Sequence, residues 1–372
     1  APTIAFRDIT IQRDHDDLVA ASFGRGFFIL DNYSPLRDLN NKILAKNAHL
    51  FDTGKAYWYE EDDVEDSQGA SRWTAENPPF GAVFTYYLKE GLETIKEKRQ
   101  ARERELNENE DVPFPGWDSL EDEKHQQHPR VYITITDKDG NVVRKVDGPT
   151  TAGFHRINWD LEYPNKNLVE RDDRGGWYSG GFMATPGTYH AHLSKMKDGS
   201  ITVLSDTISF EVVPLQENTL ERASNQTIAE FRRTMEKFQQ NLSQTSNTLQ
   251  EQIEQVEAMQ KALTRADEEA PRLAQRLHNT RTTLLEIDKE MNGSKAKGEV
   301  GQLTPPTPRD RMYVGYRALG TTYGPTPMHV KTIEYGREQL DEIQTRLDNV
   351  VNNVMPELEE ALQATGAPPV EE

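Results

Sequence analysis

Seven consecutive positions, Glu60-Glu61-Asp62-Asp63-Val64-Glu65-Asp66, hold six carboxylates. Hard oxygen ligands at that density suit calcium, and Asp62, Asp63, Glu65 and Asp66 are the candidate ligands. The run departs from the EF-hand loop, which alternates oxygen ligands around a central glycine and ends on a glutamate at its twelfth position. A solvated acidic loop is the reading its spacing favours. His190 and His192 flank one residue on an expected strand, so both imidazoles share a face and make a two-point candidate for zinc. No third ligand accompanies them, and polar surface histidines are the simpler reading. His125 and His128, in a charged loop, read the same way. Cysteine is absent, which excludes disulfides, thiolate catalysis and Cys-ligated zinc or iron–sulfur centres.

Acid pairs for glycoside hydrolysis would sit ~5–10 Å apart across a sugar-binding cleft. The 62 acids of this chain offer such pairs everywhere and discriminate none. Tyr57, Trp58, Tyr59, Trp73, Phe80, Tyr86 and Tyr87 cluster in sequence. Aromatic rings stack on sugars, but more often they fill a seam between two domains. Trp58 and Trp73 are therefore candidate interaction residues. Arg174, Trp177 and Tyr178 join them from 171–178, which reads as a long exposed loop. The sequence has no Walker loop, dinucleotide fingerprint, H-E-x-x-H or G-x-S-x-G. Ser, His and Asp occur without a spacing that implies a triad. No catalytic or cofactor-binding residue is assigned, and calcium is the one cofactor left open.

The chain that must position these groups has 372 residues, two or three domains' worth. Its 62 acids against 43 bases give a net charge of −19. That leaves no basic stripe to displace counterions from nucleic acid and disfavours attraction to anionic lipid. No apolar stretch approaches the ~20 residues of a membrane span.

The elements sort into four regions. Residues 1–40 carry strand patterns at 6–13, 18–22 and 27–31, with Phe23-Gly24-Arg25-Gly26 as a hairpin turn. Three strands do not stand alone in water. The expectation is that the chain begins inside a larger domain, the alternative being that this meander packs on something distant. Residues 41–127 read as a connector, with strands at 48–59 and 81–89 and a charged helix at 92–106. Val112-Pro113-Phe114-Pro115-Gly116 stops that helix. Residues 128–214 read as a β-sandwich of the immunoglobulin or fibronectin kind, with short strands and turn signals every 8–12 residues. Asp139-Gly140 signals a type I′ hairpin, and Trp159 is the core anchor. Residues 215–372 are helical. Ile228, Met235, Leu242, Leu249, Val256 and Leu263 recur every seven positions, with Phe231, Phe238 and Met259 as companions and Thr245 and Gln252 interrupting. Helices are expected at about 219–264, 268–292, 308–318 and 327–364. The last carries Ile333, Leu340, Leu347, Val351, Val354 and Leu358 on one face. An antiparallel bundle is the expected arrangement, with coiled-coil pairing between copies as the alternative.

One further signal is the order of local motifs. Asp17-Leu18-Val19-Ala20-Ala21-Ser22-Phe23-Gly24-Arg25-Gly26-Phe27-Phe28-Ile29-Leu30-Asp31 is followed by Ser34-Pro35-Leu36-Arg37 and Ala48-His49-Leu50-Phe51. Glu76-Asn77-Pro78-Pro79-Phe80-Gly81-Ala82, Tyr86-Tyr87-Leu88-Lys89, Asn158-Trp159-Asp160-Leu161 and Pro186-Gly187-Thr188-Tyr189 come after. Over nearly its whole length the chain resembles the C-terminal part of the bacterial sortilin-like, BNR-repeat β-propeller family, often labelled glycosyl hydrolase-like. It lacks that family's upstream blades and has no S-x-D-x-G-x-T-W box.

The resemblance implies that 1–40 are the last strands of a propeller blade and that the protein is secreted or periplasmic. It further implies a non-catalytic scaffold that braces the propeller, whose upstream portion is the first expected partner. Self-association through the helices is the second. The alternative is a propeller glycoside hydrolase or peptidase whose active site lies mainly in upstream blades, this chain adding a wall or lid.

Overall fold

The computed structural model describes residues 3–61, 77–106, 111–166, 180–217 and 219–370. Two compact units divide the chain: Ala1–Pro164 with Ala184–Glu217, and Asn165–Met183 with Asn218–Glu372. The first is mainly β and the second mainly α.

The first unit opens with β1 (Phe6–Gln12), β2 (Asp17–Ser22) and β3 (Phe27–Leu30), an antiparallel meander. Two short helices follow, α1 (Ser34–Asp38) and α2 (Asn41–Ala45). The Asn40 side chain caps α2 by accepting from the Lys42 and Ile43 amides. Then come β4 (Ala48–Leu50), β5 (Ala56–Trp58), β6 (Ala82–Leu88), α3 (Ile95–Arg104), α4 (Trp117–His125), β7 (Arg130–Asp137), β8 (Val142–Gly148), β9 (Gly153–Trp159) and β10 (Glu162–Pro164). A short strand of the second unit, β11 (Gly180–Met183), precedes β12 (Gly187–Lys197), β13 (Ser200–Val203) and β14 (Ile208–Pro214).

Two sheets form the core of this unit. One runs β4-β6-β9; the other runs β5-β14-β12-β7-β8, with β13 paired to β12. Strict alternation in β6 buries Ala82, Phe84, Tyr86 and Leu88, as the period of two requires of a half-buried strand. The inner residues of the other sheet include Tyr189, Leu193, Phe210 and Val212. Aromatic rings lock the sheets together. Phe84 of β6 meets Phe210 of β14 at 5.3 Å between centroids, and Trp159 of β9 meets Tyr189 of β12 at 5.2 Å. Trp159 is fully buried and donates its indole N–H to the Glu162 carbonyl at 2.8 Å. At the start of β6, Gly81 lies against the Trp159 carbonyl with φ +96°, where a side chain has no room.

Two expectations change here. The 41–127 stretch is more than a connector, because β4, β5 and β6 all pair into these sheets. Their alternating apolar residues supply one inner face of the core, so the β core reaches well upstream of 128. The Asp139-Gly140 turn is not type I′. Only Gly140 has positive φ, Gly140 N–H bonds the Asp137 carbonyl, and the ladder slips between Ile135 and Thr136. That is a type I turn with glycine in the left-handed position and a bulge. The type I′ signature lies instead at Asp198-Gly199, where both residues have positive φ.

The second unit is built on α5 (Asn225–Leu263), α6 (Pro271–Asn292), α7 (Lys295–Glu299), α8 (Pro308–Leu319), α9 (Pro327–Asn349) and α10 (Met355–Gln363). The first helix, expected from about 219, starts at Asn225. There the Ser224 side chain caps it by accepting the Thr227 amide. Its stripe Ile228, Phe231, Met235, Phe238, Leu242, Leu249, Val256 and Met259 is buried. That stripe shares one apolar core with Leu277, Leu284 and Ile287 of α6 and Ile333, Leu340 and Leu347 of α9. Thr245, one of the polar interruptions, is buried but satisfied: its hydroxyl donates to the Asn241 carbonyl and accepts from Gln344.

The helix expected over about 327–364 is not continuous α. Val350–Val354 forms a single π turn, closed by Met355 N–H on the Val350 carbonyl. Val350 and Met355 take the core positions, and Val351 and Val354 are only half-buried.

Candidate interaction surfaces

The β1–β3 meander presents an unusual face. Its register sets Ile9, Ala20 and Phe28 side by side, and Ile11, Leu18 and Leu30 beside them. Directly paired residues share a face, as do residues two apart. Six apolar side chains therefore line one side, and Phe6 joins them, its ring 5.7 Å from that of Phe28. Ile9 is 59% exposed, and Phe6, Ile11 and Leu30 are also exposed. Phe27 and Ile29 stand out from the opposite face.

Polar contacts tether this sheet to the rest of its unit. Arg156 donates to the Asp31 and Asn32 carbonyls at 2.6 and 3.0 Å. Arg37 pairs with Asp16 at 3.2 Å, and the His15 ring sits 5.5 Å from Tyr57. Burial of a shared apolar core contributes little to the attachment.

The residues singled out in sequence fare differently. Asp62, Asp63, Glu65, Asp66, Trp73, Arg174, Trp177 and Tyr178 lie outside the described residues. Trp58 is only 5% exposed, on the inner side of β5, so it is a core residue and not a contact surface. Tyr86, from the same aromatic run, is also in the core. Its hydroxyl donates to the Pro149 carbonyl at 2.6 Å, and burial pushes its pKa well above the usual range.

His190 and His192 share the outer face of β12, opposite Thr136 and Thr134 of β7. Burial first, and then the charge of Lys145, holds the His192 imidazole below its ordinary pKa. The same positive charge disfavours a metal cation as well as a proton. Among the described residues no group of three or more His, Asp or Glu side chains is placed to hold a metal ion.

Among the described residues, each unit has a small cleft. That of the first unit, about 280 Å³, is lined by Lys46, Ala48, His49, Val203, Leu204, Ser205 and Asp206. Serine, histidine and aspartate meet there, but without the chemistry of a triad. The Ser205 hydroxyl already accepts the Leu193 amide at 3.0 Å and donates to the Asp206 carbonyl at 2.8 Å. Burial and Lys46 push the His49 imidazole down. That of the second unit, about 290 Å³, lies between Lys289, Lys297, Pro305, Pro306 and Glu342. Both volumes sit at the low end for small-molecule sites.

One further exposed surface is aromatic. Phe114 and Trp117 are 62% and 76% exposed, edge to face at 5.1 Å. Phe114 lies between α3 and α4 and Trp117 is the first residue of α4; Arg99 ties the two helices together through Glu123 at 2.6 Å. The sequence signal of this surface is Val112-Pro113-Phe114-Pro115-Gly116-Trp117, a run whose prolines mark the end of a helix and which places two aromatics three positions apart.

No family model matches this chain, and no curated protein matches it. Among solved structures, dimeric latent PorU from Porphyromonas gingivalis matches with 12% sequence identity and a TM-score of 0.23. The match covers 53% of this chain and 12% of that one. Likeness at that level establishes neither a shared fold nor a shared activity. The described chain is a mixed β and α protein in which no described helix is long and apolar enough to cross a membrane.

Proposed function

We propose that this chain is a non-catalytic scaffold and interaction region of a secreted or periplasmic sortilin-like β-propeller protein. In this reading β1–β3 are strands of a propeller blade, and the two-sheet core is an immunoglobulin-like brace. The α5–α10 helices form a bundle that offers a docking or self-association surface.

One observation carries the reading: the apolar face of Phe6, Ile9, Ile11, Leu18, Ala20, Phe28 and Leu30. A three-stranded sheet is marginal in water unless that face is covered. A contiguous exposed apolar patch marks a contact. In a propeller, each blade is a small antiparallel sheet radially repeated around a channel, and its faces are covered by the neighbouring blades. The motif order quoted above supports the family, and the Ser205 hydroxyl, held by the Leu193 amide and the Asp206 carbonyl, is in keeping with a non-catalytic reading.

Amide hydrogen exchange tests this directly. Residues 6–30 should exchange fast in the isolated chain and slowly in the same protein carrying its propeller, while β6, β7 and β12 stay protected in both. Equal protection of 6–30 in the two samples would remove the docking role. Cleavage of a glycan by the isolated chain would favour the hydrolase reading instead.

A further inference from the structure

β13 is a short edge strand of four residues that carries none of the side-chain or bulge devices that guard an edge. Edges are blunted by charged residues, proline or bulges on the strand itself. Ser200-Ile201-Thr202-Val203 has none of these, and its register with β12 runs unbroken from Ser194↔Val203 to Lys197↔Ser200. Among the described residues β13 pairs with β12 alone. All four of its residues are exposed, with Ile201 at 61% and Val203 at 60%. The strand is also held ready. Asp198 and Gly199, with φ of +49° and +74°, make the tight turn whose twist suits a hairpin. Leu204 N–H then returns to the Leu193 carbonyl at 2.8 Å.

The two sides of this edge have different chemistry. Ile201 and Val203 stand on the outer face with Met196 opposite Ile201. On the other face Lys195 lies opposite Thr202 and Lys197 opposite Ser200. Neither lysine has an ion pair among the described residues, and both are half-buried, their stems lying along the sheet. A strand added beside β13 would lie ~9–10 Å from β12, two strand spacings away. A lysine side chain spans most of that gap across a short serine or threonine.

At the far end, Val203 runs into the cleft of about 280 Å³ whose walls include Lys46, Ala48, His49 and Leu204. A free edge that leads into a cleft fits an incoming chain end better than it fits a packing accident.

We infer that the outer edge of β13, with its adjoining cleft, binds an extended peptide strand in which apolar and acidic residues alternate. The apolar positions pack against Ile201 and Val203, and the acidic ones face Lys195 and Lys197. Main-chain hydrogen bonds to β13 supply the common part of the affinity and the alternating side chains supply the selectivity. A second copy of this chain is a poorer occupant, because pairing β13 with itself brings Lys195 and Lys197 of both copies together with no acidic residue on β13 to meet them.

A fluorescein-labelled eight-residue peptide alternating Val and Glu tests this against its Val/Lys counterpart, by anisotropy with the full chain. The Val/Glu peptide should bind and the Val/Lys peptide should not. The double variant K195E/K197E should weaken Val/Glu binding by about tenfold or more and admit the Val/Lys peptide. Because both lysines are half-buried, the binding comparison is made with K195E/K197E protein whose circular dichroism and melting match the parent, and K195Q/K197Q, which keeps the length of the stems, should weaken Val/Glu binding in the same direction. A Val/Glu peptide N-methylated on the bonds facing the edge tests the ladder without altering the protein, and should lose binding. Val/Glu binding indifferent to N-methylation or to K195E/K197E would overturn the inference, as would no binding. Sedimentation showing a dimer that the single variant I201K abolishes would overturn it in favour of a second copy.

Discussion

The first unit contains two β structures that treat their apolar residues in opposite ways. In the paired sheets Phe84, Trp159, Leu193 and Phe210 are almost wholly enclosed. In the β1–β3 meander Ile9, Ile11, Phe27, Ile29 and Leu30 are exposed. Both have hydrogen-bonded ladders and β-branched, aromatic-rich strands, so strand propensity does not separate them. The difference is the presence of an opposing layer. A sheet face is stable only when something lies on it, and among the described residues of its own unit no layer encloses the meander's apolar face. Hydrogen bonding makes a strand, whereas opposing surface makes a domain.

That contrast can be broken or sharpened by substitution. The largest effect should come from Trp159→Ala, which empties the space between the sheets. It should cost about 3–5 kcal/mol of stability, read by chemical unfolding. Phe27→Ala in the meander, with a comparable ring removed, should change stability by less than about 0.5 kcal/mol in the isolated chain. If the two costs are alike, the meander is buried in solution and the contrast fails.

Tyr86→Phe keeps the ring between the sheets and deletes only the bond to Pro149, at about 1–2 kcal/mol. Its pH dependence carries a sign. Burial raises the folded phenol above its ordinary 10.0, so the folded state holds its proton where the unfolded chain releases it. The contribution is whole below pH 10.0 and is lost as pH rises from there towards the folded value. Tyr86→Phe should therefore remove part of the alkaline destabilisation seen in a pH series of melts.

Arg156→Ala cuts the bonds to the Asp31 and Asn32 carbonyls. It should cost about 0.5–1.5 kcal/mol, confined to the tether. Hydrogen exchange should quicken in 6–30 and not in β6 or β12. The smallest change is expected from Ile9→Glu, which should leave the isolated chain's melting point within error while abolishing association with a propeller.

How much of this was written in the sequence depends on the range of the interaction involved. Local signals were legible. The heptads of α5, Thr326-Pro327 before α9 and the alternation of β7 all name elements from neighbours within a turn or two. Pairing across long separations was not. Nothing local in Ala56-Tyr57-Trp58 tells that it runs parallel to β14, some 150 positions later. Without that pairing Trp58 looks like a surface aromatic, when it is core. The same limit hid the β13 edge, since an edge is defined by the strand that fails to arrive. Asp139-Gly140 misled for another reason: a type I turn with a bulge uses the same dipeptide letters as a type I′ turn, and only the φ of the aspartate tells them apart.

The π turn at Val350–Val354 has a consequence for how this helix can change. Buried positions along α9 follow intervals of three and four, Ile333, Gly336, Leu340, Ile343, Leu347 and Val350, and after one interval of five resume at Met355, Leu358 and Leu362. The extra residue is stored as a local swelling and is not passed on as a rotation of everything downstream. Helix length and packing phase are thereby uncoupled at this point. A chain that has absorbed an insertion here can shed it again: deleting one residue from 351–354 restores plain three-four spacing with α10 still facing the same core.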